Sequence, residues 1–402
     1  MRVVQINSYS NGSTGHIANA IHNALLANGH ESLFAFGNGP DIPEGGYRIG
    51  SKPDFLCHTL VSLCAGLHGY SSVFSTFRLI NRIKAFHPDV VHLHNLHGSY
   101  LNLDILFRYL SRHNIKTVIT VHDCWIYTGK CYHYYEAKCD RFLHQCGNCP
   151  QLSMYPKSYW FDFTSKMLKD KQRLLGSLED LHVVTISNWL QNQLKETFLG
   201  TRTITTIKNG VSGIYSRDHK AHVAKFDKCF AGKFIILGVA SSWNMHKGIA
   251  DFVKLAEMLA DDEVIVLVGH LQKDIILPDN IFTIEHTHNA EELANIYNNA
   301  SVYVSLSTEE TFGLTIAEAL CCGLPAIVYR ATACPEMVSE GENGYIAQPH
   351  NVSQVYEYIQ KIKNTPAFDK DLIAQTAQRK YSTQHMTDEY LSFYKRRGVD
   401  DN

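Results

Sequence analysis

Short aliphatic runs, polar loops carrying glycine and stretches with helical apolar spacing follow one another along this 402-residue chain. Residues 2–6 form the first run, and residues 7–15 are a polar loop holding Gly12 and Gly15. Residues 16–28 place Ile17, Ala20, Ile21, Ala24 and Leu25 on one helical face. Gly29 ends that helix and residues 32–36 form the next run, which makes a β-loop-α-β unit of the doubly wound α/β type. Runs at 89–95, 117–123 and 182–188 repeat the design up to an Asn209-Gly210-Val211 turn. Residues 1–210 therefore read as one Rossmann-like domain. The polar stretch 216–233 reads as linker, within a 211–233 connection. Runs at 234–240, 263–269, 281–285, 302–306 and 326–329 give a second Rossmann-like domain over 234–380. Residues 381–402 read as a terminal helix.

The richest stretch is 307–325. It follows the run 302–306, passes through a polar loop with Glu310 and Gly313, and becomes helical near Thr315. Ile316, Ala319 and Leu320 share one face, and Gly323 and Pro325 stop the helix. A helix N-terminus presents free N–H groups and partial positive charge, which suits a phosphate. Glu310 in the loop and Glu318 one turn into the helix can accept from paired sugar hydroxyls. Thr315-Ile-Ala-Glu318 equally fits a capping box that only closes the helix end. Lys247 stands before Gly248 at another helix start, where a compact cation suits a diphosphate and where a solvated lysine is the plain alternative. His94, Asn95, His97 and His122 fall beyond the carboxyl ends of strands, where open parallel sheets place ligands. Each of these histidines could instead be structural.

Two segments stand apart. In 52–86, Phe55, Leu56, Leu60, Val61, Leu63 and Leu67, then Val73, Phe74, Phe77, Leu79 and Ile80, form apolar stripes with Arg78, Arg82 and Lys84 among them. Such helices either pack on the sheet, the default, or face a membrane. Between 124 and 149 lie Cys124, Cys131, Cys139, Cys146 and Cys149. Cys146-Gly-Asn-Cys149 with Cys131 and Cys139 could form a four-thiolate structural zinc site. The C-x7-C spacing of the upstream pair is wide for one, so free thiols or redox use stay open.

A chain 45% hydrophobic, 19% charged and of net charge −2 is globular and not built to bind nucleic acid. No signal-peptide pattern and no 18-residue apolar run is present, so a reducing cytoplasmic location is expected for its 11 cysteines.

Glu310-x-Phe-Gly-Leu-x-x-x-Glu318-Ala-x-x-x-Gly-x-Pro closely resembles the C-terminal signature of family-4 retaining glycosyltransferases. Their GT-B fold sets two Rossmann-like doubly wound domains about a central cleft. The segment His122-Asp-Cys-Trp through Cys146-x-x-Cys149-Pro to Tyr155-Pro resembles the bacterial colanic-acid, capsule and O-antigen members. The resemblance implies retaining transfer of a hexosyl group from a nucleotide-diphosphate sugar to a saccharide acceptor, lipid-linked in related systems. No metal or cofactor serves the transfer, and contact with the inner face of the membrane is peripheral. Glu310, Lys247 and His122 carry over as catalytic residues. Gly12, Gly15, Phe312, Gly313, Leu314, Thr315 and Glu318 carry over to the donor, and His94, Asn95 and His97 to the acceptor side. Ser242 stands where the family has a phosphate-binding arginine, so one diphosphate cation is missing from its usual place. Rival readings are a nucleotide-sugar epimerase or phosphorylase on the same architecture, and a non-catalytic sugar-binding subunit.

Overall fold

Arg2–Tyr9 (β1) is an interior strand of a seven-stranded sheet, and every strand pairing in it is parallel. The structure is a computed structural model describing residues 1–40, 42–217, 230–272, 275–365 and 368–396. The chain divides into two compact units: residues 1–207 with the C-terminal segment from Thr387, and residues 208–386. Of the 211–233 linker, residues 218–229 lie outside the described residues.

The first sheet runs β3-β2-β1-β4-β5-β6-β7. Its other strands are β2 (Glu31–Asn38), β3 (Gly46–Arg48), β4 (Val90–Leu93), β5 (Lys116–Val121), β6 (Leu181–Thr185) and β7 (Thr203–Thr206). Chain direction across the sheet reverses between β1 and β4, which is the switch point where such folds bind ligands. The β1 strand outruns the expected residues 2–6 because it stays paired with β2 as far as Tyr9 and Asn38. Helix α1 (Gly12–Ala27) then starts at once, so Gly12 and Gly15 lie in its first turn and not in a long loop. A Cβ at Gly15 would stand 2.9 Å from the Tyr9 carbonyl oxygen, so only glycine lets the helix begin this close to the strand.

Helices α2 (Lys52–Ala65) and α3 (Val73–Phe86) confirm the helical reading of 52–86 and correct the default packing. Helix α3 buries Leu79, Ile80 and Ile83 as expected. Helix α2 is turned inside out: it buries His58 and Ser62, while Leu56 is 59% and Leu60 52% exposed. The reason is polar. His58 Nδ1 pairs with the Ser72 hydroxyl at 2.7 Å, and Nε2 accepts from Gly69 N at 3.2 Å, so the inner face holds the turn between the helices. Helices α4 (Leu103–Arg112), α5 (Thr164–Gly176) and α6 (Asn188–Lys195) complete this unit together with most of α12 (Thr383–Arg396).

The second sheet runs β10-β9-β8-β11-β12-β13 and is also wholly parallel. Its strands are β8 (Phe234–Trp243), β9 (Glu263–Leu271), β10 (Ile281–Ile284), β11 (Val302–Ser305), β12 (Ala326–Tyr329) and β13 (Gly344–Ala347). Helices α7 (Ile249–Ala256), α8 (Ala290–Asn299), α9 (Leu314–Cys321), α10 (Val352–Asn364) and α11 (Lys370–Tyr381) cover it. Its core joins Ile236, Phe252, Leu255, Ile265, Val304 and Ile327.

Candidate active site

In the second unit β8, β11 and β12 are neighbours, and the switch point lies between β8 and β11. The loops leaving their carboxyl ends carry Lys247, Glu310 and Thr332. Lys247 ends a single 3-10 turn (Met245–Lys247) capped by Asn244, whose side chain accepts from Lys247 N at 3.1 Å. Gly248 follows with φ +76°, and a Cβ there would meet the Leu306 carbonyl oxygen at 2.3 Å. That close approach brings the β8 loop against the end of β11. Thr308 N and the Ser307 hydroxyl both donate to the His246 carbonyl at 3.2 Å. Glu310 is held from the other side: its N–H donates to Thr332 Oγ1 at 2.9 Å, and its carbonyl accepts from Ala333 N at 3.2 Å. The result is a direct ion pair, Lys247 Nζ to Glu310 Oε1 at 2.5 Å, with both side chains partly exposed. The two groups assigned to different parts of a donor thus meet each other. His246 and Glu309 make a second contact on the same loops at 3.4 Å.

Helix α9 begins after Gly313, which has φ +94°. No side chain caps it and no acidic residue lies in its first turn, so its N-terminal dipole is not neutralised locally. Thr315 is inside the helix and is not its cap, which removes the capping-box reading of Glu318. Thr315 Oγ1 accepts from the Tyr303 hydroxyl at 2.8 Å. Phe312 is buried, edge-on to Tyr381, so it offers backbone and not its ring. Glu318 Oε2 accepts from the Tyr297 hydroxyl at 3.0 Å. Burial pushes the Glu318 carboxyl up to about 7, against the opposing pull of the Tyr297 bond. Ser242, near the end of β8, pairs with His270 beyond a bulge and is only partly exposed.

The raised Glu318 value has a stability sign. The folded protein holds this proton when the unfolded chain has lost it, so stability falls as pH rises from about 4.5 to about 7. Glu318→Gln is expected to melt close to wild type at pH 5 and to be the more stable protein at pH 8, by up to roughly 3 kcal/mol. Equal melting shifts at both pH values would contradict the buried-proton account.

In the first unit His94 and His122 lie side by side at the ends of β4 and β5, with His94 Nδ1 and His122 Nε2 3.0 Å apart. His94 Nε2 reaches Gln5 Oε1 at 2.7 Å, so both His94 nitrogens are used inside the protein. Burial holds His94 well below the ordinary histidine range and pushes His122 down to about 4, leaving both neutral near pH 7. Asn95 is fixed through its N–H, which donates to Asn7 Oδ1 at 3.1 Å. His97 Nε2 pairs with Asp123 Oδ2 at 2.7 Å. Burial raises the Asp123 carboxyl, but His97 and the Trp125 N–H outweigh it and leave Asp123 below its usual value.

Cys131, Cys139, Cys146 and Cys149 all line one small cavity, a donor set suited to zinc. Among the described residues, however, no three His, Cys, Asp or Glu side chains close on one metal position. Cys131 and Cys149 are in hydrogen-bond contact. The Cys131 proton pulls Cys149 down to about 7, and the same contact pushes the Cys131 thiol up.

Sequence reasoning missed Tyr297, Thr332, Gln5 and the His246–Glu309 pair. Only Gln5 carried a signal, as the polar residue set between Val4 and Ile6 in an otherwise apolar stretch.

Residues 14–212 match the family model described as Glycosyltransferase Family 4, and residues 224–379 match Glycosyl transferases group 1. The chain belongs to the family-4 glycosyltransferases of the GT-B fold. The transferase is 23% identical over 416 residues to the putative colanic acid biosynthesis glycosyl transferase WcaC of Escherichia coli K12, covering 98% of this chain and all of that one. It is 32% identical over 107 residues to the O-antigen chain mannosyltransferase B of Escherichia coli, covering 26% and 28% of the two chains. Its fold is shared with sucrose-phosphate synthase of Thermosynechococcus elongatus (TM-score 0.72, 15% identity, 98% and 99% coverage). It is shared also with the Anabaena protein HepE, solved with UDP and glucose (TM-score 0.67, 13% identity, 98% and 100% coverage).

Proposed function

We propose that the transferase moves a hexosyl group, with retention at the anomeric carbon, from a nucleotide-diphosphate sugar to a lipid-linked saccharide. The observation that carries this reading is the Lys247–Glu310 pair beside the uncapped start of α9, with Glu318 one turn further on. The diphosphate takes Lys247 and the N–H groups of Gly313, Leu314 and Thr315, which offset the charge that grows on the leaving group. Glu310 then turns to the sugar hydroxyls and Glu318 accepts from the ribose. Ser242 adds a hydrogen-bond donor but no charge, so the α9 dipole carries more of the anion than an arginine at that position would leave to it. Gly12 and Gly15, in the first turn of α1, carry over from the family resemblance as residues for the donor diphosphate. His122, Asn95 and His97 serve the sugar and acceptor, and the leaving phosphate takes the acceptor proton. The transfer itself uses no metal. Calorimetry with UDP-, GDP- and ADP-sugars identifies the donor, and NMR of the product reads its anomeric configuration. An inverted product, or epimerised donor with no nucleotide diphosphate released, overturns the reading.

The lipid-linked acceptor draws support from the outer face of α2. Leu56, Leu60 and Val61 share the surface with Phe74 (77% exposed), Phe77, Tyr159 and Trp160 (72% exposed). The Tyr159 N–H donates to the Leu63 carbonyl at 2.9 Å, tying the aromatic loop to α2. Lys52, Arg78, Arg82, Lys84 and Lys157 lie in these segments against Asp54 and Asp162, in a chain of net charge −2. Aromatic and aliphatic tips rimmed by cations suit an anionic lipid surface. Among the described residues no helix is long and apolar enough to cross a membrane, and the proposed contact is peripheral. Binding to phosphatidylglycerol vesicles is expected, weaker in high salt and lost in Leu60→Asp/Phe74→Asp. Failure to bind vesicles of either charge rejects the surface.

A zinc ion held by Cys131, Cys139, Cys146 and Cys149 is proposed as a separate structural element, which requires the four thiolates lining that cavity to draw together onto one point. Emission spectrometry of purified protein is expected to show one zinc per chain, and the absence of stoichiometric zinc would end that proposal.

A further inference from the structure

A buried chain of polar side chains runs from α12 to His122, all of it within the first unit. Gln5 Nε2 donates to the Tyr394 hydroxyl at 3.2 Å, so the Tyr394 proton is left for His92 Nδ1, 2.6 Å away. His92 therefore carries its proton on Nε2 and donates to Thr120 Oγ1 at 2.7 Å, which in turn stands 2.9 Å from the Tyr390 hydroxyl. At the other end of the same amide, Gln5 Oε1 can only accept. The His94 nitrogen 2.7 Å from it, Nε2, must then bear a proton. His94 is neutral through burial between two other histidines, so its Nδ1 is bare and takes the proton of His122 Nε2 at 3.0 Å. Neutral His122 has one ring proton, and it is spent on His94.

We infer that Gln5 and Tyr394 are positioning residues which fix His122 as its Nε2–H tautomer, so that its buried Nδ1 can only accept a hydrogen bond. The chain has one other complete register. Turning the Gln5 amide over reverses every proton: His94 would donate from Nδ1, and His122 would present an N–H at Nδ1. A group that accepts and a group that donates select different hydroxyl orientations, so the amide sets what His122 can recognise. Neither Gln5 nor Tyr394 touches His122. The link to sugar rests on the reading of His122 given above, whereas the tautomer does not.

Nitrogen-15 NMR of histidine-labelled protein tests the tautomer directly. His122 is expected to show a bare Nδ1 and a protonated Nε2 in wild type. Tyr394→Phe and Gln5→Met are expected to give mixed tautomers, with kcat/KM lowered roughly tenfold to hundredfold and a melting curve that remains cooperative. Gln5→Glu supplies a readout that a packing role would not move. Its carboxylate accepts from His94 Nε2 as the amide does, so activity survives at high pH. As pH falls, the carboxylate lets His94 charge first. Imidazolium His94 then donates from Nδ1 and forces His122 into the other tautomer. The kcat/KM profile therefore gains an acid limb that wild type lacks. The other titratable groups facing this chain are His92, Tyr390 and Tyr394, with Asp123 and His97 beyond His122. A protonated Nδ1 on His122 in wild type overturns the inference, as does an unchanged tautomer in both Tyr394→Phe and Gln5→Met. Full activity in His122→Ala would instead remove the sugar contact and leave the tautomer standing.

Discussion

Glu310→Ala is expected to lower kcat by roughly 10²–10³-fold, the cost of removing one preorganised partner of a transition state. The same change is expected to strengthen binding of the nucleotide diphosphate alone. Lys247 is engaged by Glu310 at 2.5 Å, and a diphosphate must compete with that carboxylate for the ammonium. Without Glu310 the competitor is gone. Lys247→Ala should weaken the diphosphate and lower kcat together, because the leaving group loses its nearest side-chain cation. The double variant should fall well short of the summed losses, since residues in direct contact couple. Isothermal titration with the nucleotide diphosphate and steady-state rates measure both parts. Weaker nucleotide binding in Glu310→Ala would show that the ion pair does not gate the donor.

Gly248→Ala is expected to damage both folding and turnover. Two costs add. A non-glycine residue at φ +76° carries roughly 1–3 kcal/mol of backbone strain. The new methyl would also lie 2.3 Å from the Leu306 carbonyl oxygen and 2.5 Å from Leu306 Cβ, so the turn itself must move away from β11. Lys247 moves with it, and a shift on the order of 1 Å is enough to cost about 100-fold in rate. Calorimetric melting and turnover together are expected to show both losses. Gly176→Ala is the control: it ends α5 with nothing within 4 Å of the new Cβ, and should be neutral or slightly stabilising. Equal effects at the two positions would remove the steric account.

The second unit's part of the candidate site was legible because its chemistry is local in sequence. Strand, acidic loop and helix start follow one another from Val302 to Cys321, and the glycines mark where the chain turns sharply. Partners that arrive through space were not legible. Tyr297 reaches Glu318 from a neighbouring helix, and Thr332 reaches Glu310 from the next strand's loop. A stripe of Leu56, Leu60 and Val61 shows that a helix has an apolar face but not which way it points. Direction was decided by His58, whose two ring nitrogens are satisfied only inward. Strand β1 ran past its apolar residues because its ladder with β2 continues through Asn7 and Tyr9. His94 fell where ligands gather, yet a glutamine in the centre of β1 occupies its outer nitrogen.

The histidine chain also sets an order of assembly. His92 is bonded to Tyr394 across 302 residues, with the whole second unit lying between them in sequence. During synthesis the first sheet can form its strands early, but His92, Thr120 and Gln5 must wait for α12 to emerge from the ribosome. Until then three buried polar groups face a gap, so the half-made unit stays locally loose around His94 and His122. Closing so long a loop is slow. The first unit, made first, is therefore finished last.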